Sequence, residues 1–448
     1  MNSKAEKALE QGLKDLSEWQ NSFGGWDVDS TLSVSDQKAE QIFTRLSQRL
    51  KCNFPFGNPV YAGQMLKPPH PLTWAAYAMA MSINPNNHAL DGGPPSSEME
   101  KEAVAKFAKF FGYGDLFLGH LTSSGTIANL EALWVARESH PDKKIAFSEN
   151  AHYTHERMCS ILRVESRRIS VSEDGSFELN SLNPAEIGTI VVTLGTTGLG
   201  EVEPLDQILP WAQENEIRIH IDAAYGGYFR TLKDSGLIDG TSWQLMQEAD
   251  SIVVDPHKHG LQPYGCGCVL FKDPAVGKFY KHDSPYTYFT SEDLHLGEIS
   301  LECSRAGAAA VALWAALEMF PLKEKEGFGP ILAKCRKAAL KMYELLNSHQ
   351  KLKAFKKPEL DILGYFPSEC KTTSEISSKS KEIFDAGMRD QVFYLSMFRL
   401  PAETFSRLHP EFKADSDHVS ILRSVFMKPE HEDFVEELVK RIEKSVSF

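Results

Sequence analysis

The sequence feature that most constrains the fold of this chain is a short hydrophobic run followed by a turn that contains a lysine. Residues 251–260 read Ser-Ile-Val-Val-Asp-Pro-His-Lys-His-Gly. Valine and isoleucine favour a strand buried on both faces, and Pro256 ends it because proline cannot continue the hydrogen-bonded ladder. Lys258 is therefore predicted on a turn just past a strand, where partial desolvation favours the nucleophilic amine that forms a Schiff base with an aldehyde. A single lysine in such a turn is more often an ordinary surface residue.

A second strand end supports the functional interpretation. Residues 217–225 read Ile-Arg-Ile-His-Ile-Asp-Ala-Ala-Tyr, an alternating pattern that should finish at Asp222. Ligands of parallel sheets bind outside the carboxyl ends of the strands, so Asp222 and Lys258 are predicted to face one crevice. A buried carboxylate there needs a cation. A protonated pyridine ring supplies one, and a Schiff-base lysine with an acidic ring partner is the arrangement that holds pyridoxal phosphate.

The motifs Asp-Ala-Ala-Tyr (222–225) and Asp-Pro-His-Lys (255–258) resemble those of the group II pyridoxal-phosphate-dependent amino acid decarboxylases. This family includes glutamate, aromatic amino acid, tyrosine and aspartate decarboxylases, and sphingosine-phosphate lyase is related to it. The resemblance covers roughly residues 59–307. It implies an α/β protein with the fold type I architecture of aspartate aminotransferase, in which helices flank a mostly parallel sheet and a small α+β domain follows. It also implies pyridoxal 5'-phosphate as cofactor and a homodimer with active sites near the subunit interface.

Length and charge set the broad class. The 448 residues carry 48 basic and 61 acidic side chains, a net charge of −13 that disfavours nucleic acid or an anionic membrane as partner. Seven cysteines without paired spacing indicate a reducing compartment, and the first twenty residues lack the apolar stretch of a secretory signal, so we expect a cytoplasmic protein. We predict an N-terminal helical arm (1–58), a cofactor-binding domain (59–320) and a small C-terminal domain (321–448).

A polar turn that opens into an apolar helix is the predicted phosphate site. The free N–H groups of a first helical turn, together with short hydroxyl side chains, suit an anion, although a simple Ser/Thr helix cap has the same appearance. The segment resembles the family's Thr-Ser-Gly-Gly-Thr, with a serine in place of one glycine. The predicted phosphate ligands are Ser123, Ser124, Gly125 and Thr126.

The family resemblance assigns further residues to the cofactor. His152 matches the histidine that stacks on the pyridine ring, with His155 as its rival. Ala224 is small enough to lie against the other ring face, Thr196 matches a hydroxyl near the cofactor or the substrate carboxylate, and His257 is expected near the phosphate.

The histidines and cysteines that follow Asp255 have spacings that do not favour a metal site. His257-x-His259 and Cys266-x-Cys268 lie within a dozen residues of each other. Structural zinc sites, however, favour two to four residues between cysteines and three to five between histidines. We therefore predict no metal.

The substrate residues are predicted less directly. One loop-rich region, residues 58–95, resembles the family's segment that reaches the active site, and it supplies Gln64, His70 and Asn84 as candidates. In two later segments, Arg305 is a candidate for binding a cofactor or substrate anion, and Arg423 is a candidate bidentate clamp for a carboxylate. In the family a loop tyrosine returns a proton to the carbon that has lost carbon dioxide, and Tyr286 or Tyr288 is the candidate here. Each of these residues has an equally plausible structural role.

Three functions remain open on the sequence. The first is decarboxylation of an L-amino acid to an amine and carbon dioxide, with Lys258, Asp222, His152 and Tyr286 as catalytic residues. The second is cleavage of a carbon–carbon bond to release an aldehyde, as in sphingosine-phosphate lyase. The third is a non-catalytic scaffold dimer, which the intact Asp222 and Lys258 pair disfavours.

Overall fold

The computed structural model describes residues 3–88, 92–172, 175–281 and 300–444. Helices and strands alternate through the first two thirds of the chain. The helices are α1 (Ser3–Asn21), α2 (Asp36–Leu50), α3 (Pro71–Met81), α4 (Pro94–Phe111), α5 (Gly125–Ser139), α6 (Thr154–Leu162), α7 (Leu205–Glu214), α8 (Thr241–Gln244), α9 (Gly307–Met319), α10 (Phe328–Asn347), α11 (Thr373–Asp390), α12 (Ala402–Leu408) and α13 (His431–Lys444).

Two sheets organise these helices. The strands of the large sheet are β1 (Leu118–Thr122), β2 (Lys144–Ser148), β3 (Ser166–Ile169), β4 (Ile187–Thr193), β5 (Arg218–Asp222), β6 (Ser251–Val254) and β7 (Gly267–Phe271). Those of the small sheet are β8 (Leu352–Ala354), β9 (Ile362–Pro367), β10 (Ser396–Pro401) and β11 (His418–Val425).

The large sheet has the order β1-β7-β6-β5-β4-β2-β3. Strands β6, β5, β4, β2 and β3 pair in parallel, whereas β7 pairs antiparallel with both of its neighbours. Every residue of β4 and of β6 is buried, as expected for central strands covered by helices on both faces. The parallel strands consequently end at one edge of the sheet, and that edge carries the site.

The small sheet is antiparallel, in the order β10-β11-β9-β8. Helices α10, α11 and α13 cover it, and a separate apolar core that includes Tyr365 and Leu422 lies between sheet and helices. The two sheets confirm the predicted fold class. The predicted boundaries at residues 58 and 320 stay a prediction.

The N-terminal arm packs only partly on this body. Ala5 and Gly12 of α1 are buried, and Gly12 lies so close to Met79 of α3 that a Cβ atom would approach its sulfur to 2.5 Å. Helix α2, in contrast, buries none of its residues. None of the helices in the described ranges is long and apolar enough to cross a membrane.

Candidate active site

A cavity of about 220 Å³ opens at the carboxyl edge of the large sheet. Its lining combines strand ends, a helix N-terminus and the turn after β6. The lining residues are Ser124, Gly125, Thr126, Asn129, His152, Thr154, Thr193, Gly195, Thr197, Asp222, Ala224, Tyr225, Asp255, His257 and Lys258. The two predicted strand-end residues, Asp222 and Lys258, therefore face one space.

Asp222 is the last residue of β5 and is 5% exposed. One carboxylate oxygen, Oδ1, accepts the backbone N–H of Ala224 at 3.1 Å, and the other, Oδ2, lies 2.9 Å from Nε2 of His155. Burial alone raises the pKa of this carboxyl, but the hydrogen bond from His155 and the nearby cationic groups, Lys258 among them, reverse this effect and hold the pKa well below its usual range. Asp222 is thus an ionised acid at neutral pH.

Lys258 lies on a tight turn, where its backbone N–H donates to the carbonyl of Asp255 at 2.9 Å. Its side chain is 23% exposed, and its ammonium nitrogen Nζ lies 3.1 Å from Oδ2 of Asp255. The direct ionic partner of the lysine is therefore Asp255 rather than Asp222.

The start of α5 forms the anion-binding wall. Ser124 caps the helix, its hydroxyl accepting the N–H of Ile127 at 3.3 Å. Gly125 lies directly against Asp255, since a Cβ atom at position 125 would approach the Asp255 carboxylate oxygens to 2.4 and 2.5 Å. Ser123 differs from its neighbours because it does not line the cavity, is exposed, and donates its N–H to Glu302 at 2.7 Å.

The histidines of the cavity are fixed by local contacts. His152 is half-buried, and its Nδ1 lies 2.6 Å from the hydroxyl of Thr154, while burial lowers its pKa. His155 is fully buried beneath Asp222 and does not line the cavity, so of the two rivals His152 is the one placed to meet a bound ring. The Nδ1 of His257 donates to the carbonyl of Cys266 at 2.7 Å, and its ring packs on Tyr264.

In the loop after β4, the cavity lining contains the neighbour of Thr196, the predicted threonine. The hydroxyl of Thr196 is bonded to Glu201, accepting its N–H at 3.0 Å, and Thr196 does not line the cavity. Thr197 lines it instead. The loop has no periodicity from which the direction of either side chain could be predicted.

Neither predicted substrate arginine lines the cavity. Arg305 donates to the carbonyl of Asn87 at 3.1 Å and to that of Leu121, and its Nη2 lies 3.3 Å from Glu100. Arg423 is 5% exposed and donates to backbone carbonyls of the loop that contains Thr197. Both guanidinium groups thus join segments of the chain.

The other substrate candidates also lie outside the cavity lining. Gln64 is exposed, His70 caps α3 by accepting the N–H of Leu72 at 3.3 Å, and Asn84 adopts a left-handed backbone conformation with φ of 57°. Burial lowers the pKa of His70. Tyr286 and Tyr288 lie outside the described residues. Within those residues, no group of three or more His, Cys, Asp or Glu side chains could hold a metal ion.

A buried acid beneath the cavity was missed by the sequence analysis. Glu203 accepts hydrogen bonds from the hydroxyl of Ser148, at the end of β2, and from the N–H of Thr193, at the end of β4. Burial raises its pKa to about 8. No sequence pattern marks it, but the strand-end rule could have added Thr193 to the predicted cavity lining.

Residues 28–364 match the family model of the pyridoxal-dependent decarboxylase conserved domain, which is more than half of the chain. The chain belongs to this family. The L-tyrosine decarboxylase of Enterococcus faecium is 25% identical to this decarboxylase, with 93% of this chain and 90% of that protein aligned. The L-tyrosine/L-aspartate decarboxylase of Methanocaldococcus jannaschii is 27% identical, with 73% of this chain and 82% of that protein aligned.

A solved structure described as Oryza sativa TDC with PLP and tryptamine shares the fold of the decarboxylase. The two superpose with a TM-score of 0.77 over 99% of this chain and 98% of that one, at 14% identity. These findings confirm the predicted family, fold and cofactor. As a member of this family, the decarboxylase is a carboxy-lyase that depends on pyridoxal phosphate.

The residues of the cavity fit this cofactor. Asp222 offers a buried, ionised carboxylate to a ring nitrogen, and the first turn of α5 offers N–H groups to a phosphate. Lys258 supplies the amine for the aldehyde. Oδ1 of Asp255 is buried and has no hydrogen-bond partner in the described residues. The cavity wall therefore contains a polar atom whose hydrogen-bonding capacity the protein itself does not use.

Proposed function

We propose that the decarboxylase removes the α-carboxylate of an L-amino acid through the cavity at the carboxyl edge of the large sheet, with Lys258 as the residue that holds the cofactor. The observation that carries this proposal is that Lys258, Asp222 and the N-terminus of α5 all line that one cavity. They are the amine, the acid and the anion site that the aldehyde, ring nitrogen and phosphate of pyridoxal phosphate require.

Each cavity residue then has a specific task. Bound pyridoxal phosphate supplies an electron sink for the carbon that loses carbon dioxide. Asp222 keeps the ring nitrogen protonated, and His155 keeps Asp222 oriented and charged. His152 and Ala224 hold the two ring faces, while Ser124, Gly125, Thr126 and His257 hold the phosphate. These contacts fix the orientation in which the carboxylate leaves.

The lysine assignment is tested by replacement. Lys258→Ala should abolish release of carbon dioxide and attachment of the cofactor by borohydride reduction, whereas Lys325→Ala, which changes an exposed lysine, should retain both. Carbon dioxide release by Lys258→Ala at the wild-type rate would refute the assignment. Analysis of the products for an aldehyde in place of carbon dioxide tests the carbon–carbon lyase alternative in the same experiment.

We propose L-tyrosine as the first substrate candidate, ahead of L-aspartate. The relatives named above are tyrosine and tyrosine/aspartate decarboxylases. The side-chain carboxylate of aspartate needs a cation when it is buried. Among the described residues that line the cavity there is no arginine, and Arg305 and Arg423 are bonded to backbone carbonyls. A screen of the twenty amino acids for carbon dioxide release tests this order, and a higher kcat/KM for aspartate than for tyrosine would contradict it.

We further propose that the decarboxylase is a homodimer and that its N-terminal arm is part of the interface. Phe23, Trp26 and Phe43 of the arm are 78%, 72% and 69% exposed. Apolar surface of this extent marks an interaction site, and a second copy of the chain is the proposed partner. Sedimentation of the full chain should give a dimer, and Phe43→Glu should shift the population towards monomer. A wild-type monomer at micromolar concentration would refute the proposal.

A cytoplasmic location is also proposed. All seven cysteines are free thiols, including the exposed Cys52 and Cys303, which is the state expected in a reducing compartment. Fractionation of the source cells with an antibody against the chain tests this location.

A further inference from the structure

Asp255 lies on the turn after β6 and contacts the active-site lysine directly. Its carboxylate is 4% exposed, and Oδ2 lies 3.1 Å from the Lys258 ammonium nitrogen. The backbone of Asp255 is fixed on both sides, because its N–H donates to the carbonyl of Ala224 at 3.2 Å and its carbonyl accepts the N–H of Lys258. The carboxylate and the amine therefore meet in a rigid turn.

Other charged groups around Lys258 do not offer the same contact. Asp222 influences the lysine by its charge, whereas the direct ion pair of Lys258 is with Asp255. The cavity histidines, His152 and His257, and the fully buried His259 provide no negative charge. Nε2 of His257 lies 3.6 Å from Oδ2 of Asp255, so it competes for this carboxylate and does not replace it.

The surroundings leave Asp255 little freedom to turn away. Gly125 approaches its carboxylate so closely that even a methyl group would overlap both oxygens. The second oxygen, Oδ1, is buried without a hydrogen-bond partner in the described residues. A buried carboxylate with so few donors gains strongly from an ammonium group at hydrogen-bonding distance.

We propose that Asp255 is the counter-ion that holds the Lys258 ammonium whenever this amine is not bonded to the cofactor. The inference rests on the proposed function, in which Lys258 holds the cofactor. A Lys258 amine that is not bonded to the cofactor then has a fixed ionic partner inside the cavity. Asp255 holds this ammonium group within reach of the place where the cofactor would bind.

The test measures how readily the free amine reacts in the cofactor-free enzyme. Trinitrobenzenesulfonate modifies unprotonated amines, and mass spectrometry of peptides reports the labelling of Lys258 relative to the exposed Lys325 in the same sample. The rate is followed from pH 6 to pH 11 in wild type, in Asp255→Asn, and in Asp206→Asn, which removes an acid from the exposed start of α7.

In Asp255→Asn, Lys258 should be labelled about tenfold faster at pH 8 than in wild type, relative to Lys325, because the carboxylate that holds its ammonium group is gone. Asp206→Asn should follow wild type. Equal profiles for Asp255→Asn and wild type would overturn the inference. Asp255→Ser, which is also neutral but smaller, gives the same comparison if the asparagine variant does not fold.

Failure of the inference and failure of the proposed function are distinguishable. Borohydride reduction of the wild-type holoenzyme tests whether pyridoxal phosphate is bonded to Lys258, and a negative result there removes the proposed function. The labelling comparison uses no cofactor. Normal cofactor attachment with unchanged labelling would remove only the role of Asp255.

Discussion

Replacing Glu203 with glutamine should remove one specific pH dependence from the stability of the decarboxylase. Glu203 is 5% exposed and accepts hydrogen bonds from Ser148 and from the N–H of Thr193. Because burial raises its pKa to about 8, it is mainly a neutral acid at pH 7. In that form its own hydroxyl group can donate to the Ser148 oxygen, while its other oxygen still accepts from Thr193.

The magnitude follows from proton linkage. In the unfolded chain this carboxyl ionises near its ordinary value of 4.5, whereas the folded protein keeps the proton until about pH 8. Between these values the folded state binds one proton more than the unfolded state, so its stability decreases as the pH rises. The slope is about 1.4 kcal/mol per pH unit, which amounts to about 3 kcal/mol between pH 5 and pH 7.5.

Glutamine has the shape of the protonated acid and cannot ionise. Its amide N–H donates to Ser148 and its carbonyl accepts from Thr193, so the substitution leaves neither group unpaired. In Glu203→Gln, the free energy of unfolding should therefore lack the decrease with pH that Glu203 causes in wild type. The free energy of unfolding of Glu203→Gln relative to wild type should rise by about 3 kcal/mol from pH 5 to pH 7.5.

Urea denaturation followed by tryptophan fluorescence at pH 5, 6, 7 and 7.5 measures this difference, provided that unfolding is reversible and two-state. Glu214→Gln, which changes an exposed glutamate at the end of α7, is the matched control and should stay parallel to wild type. A constant difference between Glu203→Gln and wild type at all four pH values would show that Glu203 is ionised in the folded state, and the argument would fail.

Three further predictions concern the site and its supports. Gly125→Ala should weaken cofactor binding at least about tenfold in equilibrium dialysis, because its Cβ atom would lie 2.4 Å from Asp255; unchanged affinity would mean that α5 moves freely. His155→Leu should retain cofactor attachment by borohydride but lower kcat about tenfold or more, because Asp222 loses a charge-assisted hydrogen bond of roughly 1.5–3 kcal/mol; full kcat would refute its role. Arg305→Met should lower the free energy of unfolding by about 3–5 kcal/mol, since it leaves the Glu100 carboxylate buried without this partner, and denaturation with an unchanged midpoint would contradict this.

The sequence predicts the strand-end part of the site well. Alternating isoleucines before Asp222 and a proline after β6 define where the strands end, and parallel strands place such ends along one edge. The position of each residue then follows from local pattern alone. For this reason Asp222 and Lys258 are found in one cavity, as predicted.

The placements that differ from the expectation are those that tertiary contacts decide. Whether Thr196 or Thr197 faces the cavity depends on a loop without periodicity. Neighbouring residues in such a loop point their side chains in different directions, so the sequence does not show which of the two lines the cavity. Arg305 and Arg423 are typical anion-binding residues by type, but their partners are carbonyls from distant segments. Helix α11 was not predicted, although Thr372 caps it, because its serines and threonines favour turns as readily as helices.

The guanidinium group of Arg423 has a mechanical consequence. It projects from the small sheet and donates to the carbonyls of Thr197 and Gly198 at 2.7 and 2.6 Å, on the loop that forms one wall of the cavity. A rotation of the small sheet against the large one must either break these two bonds or pull the wall with it. The width of the cavity entrance is thus tied to the angle between the two sheets.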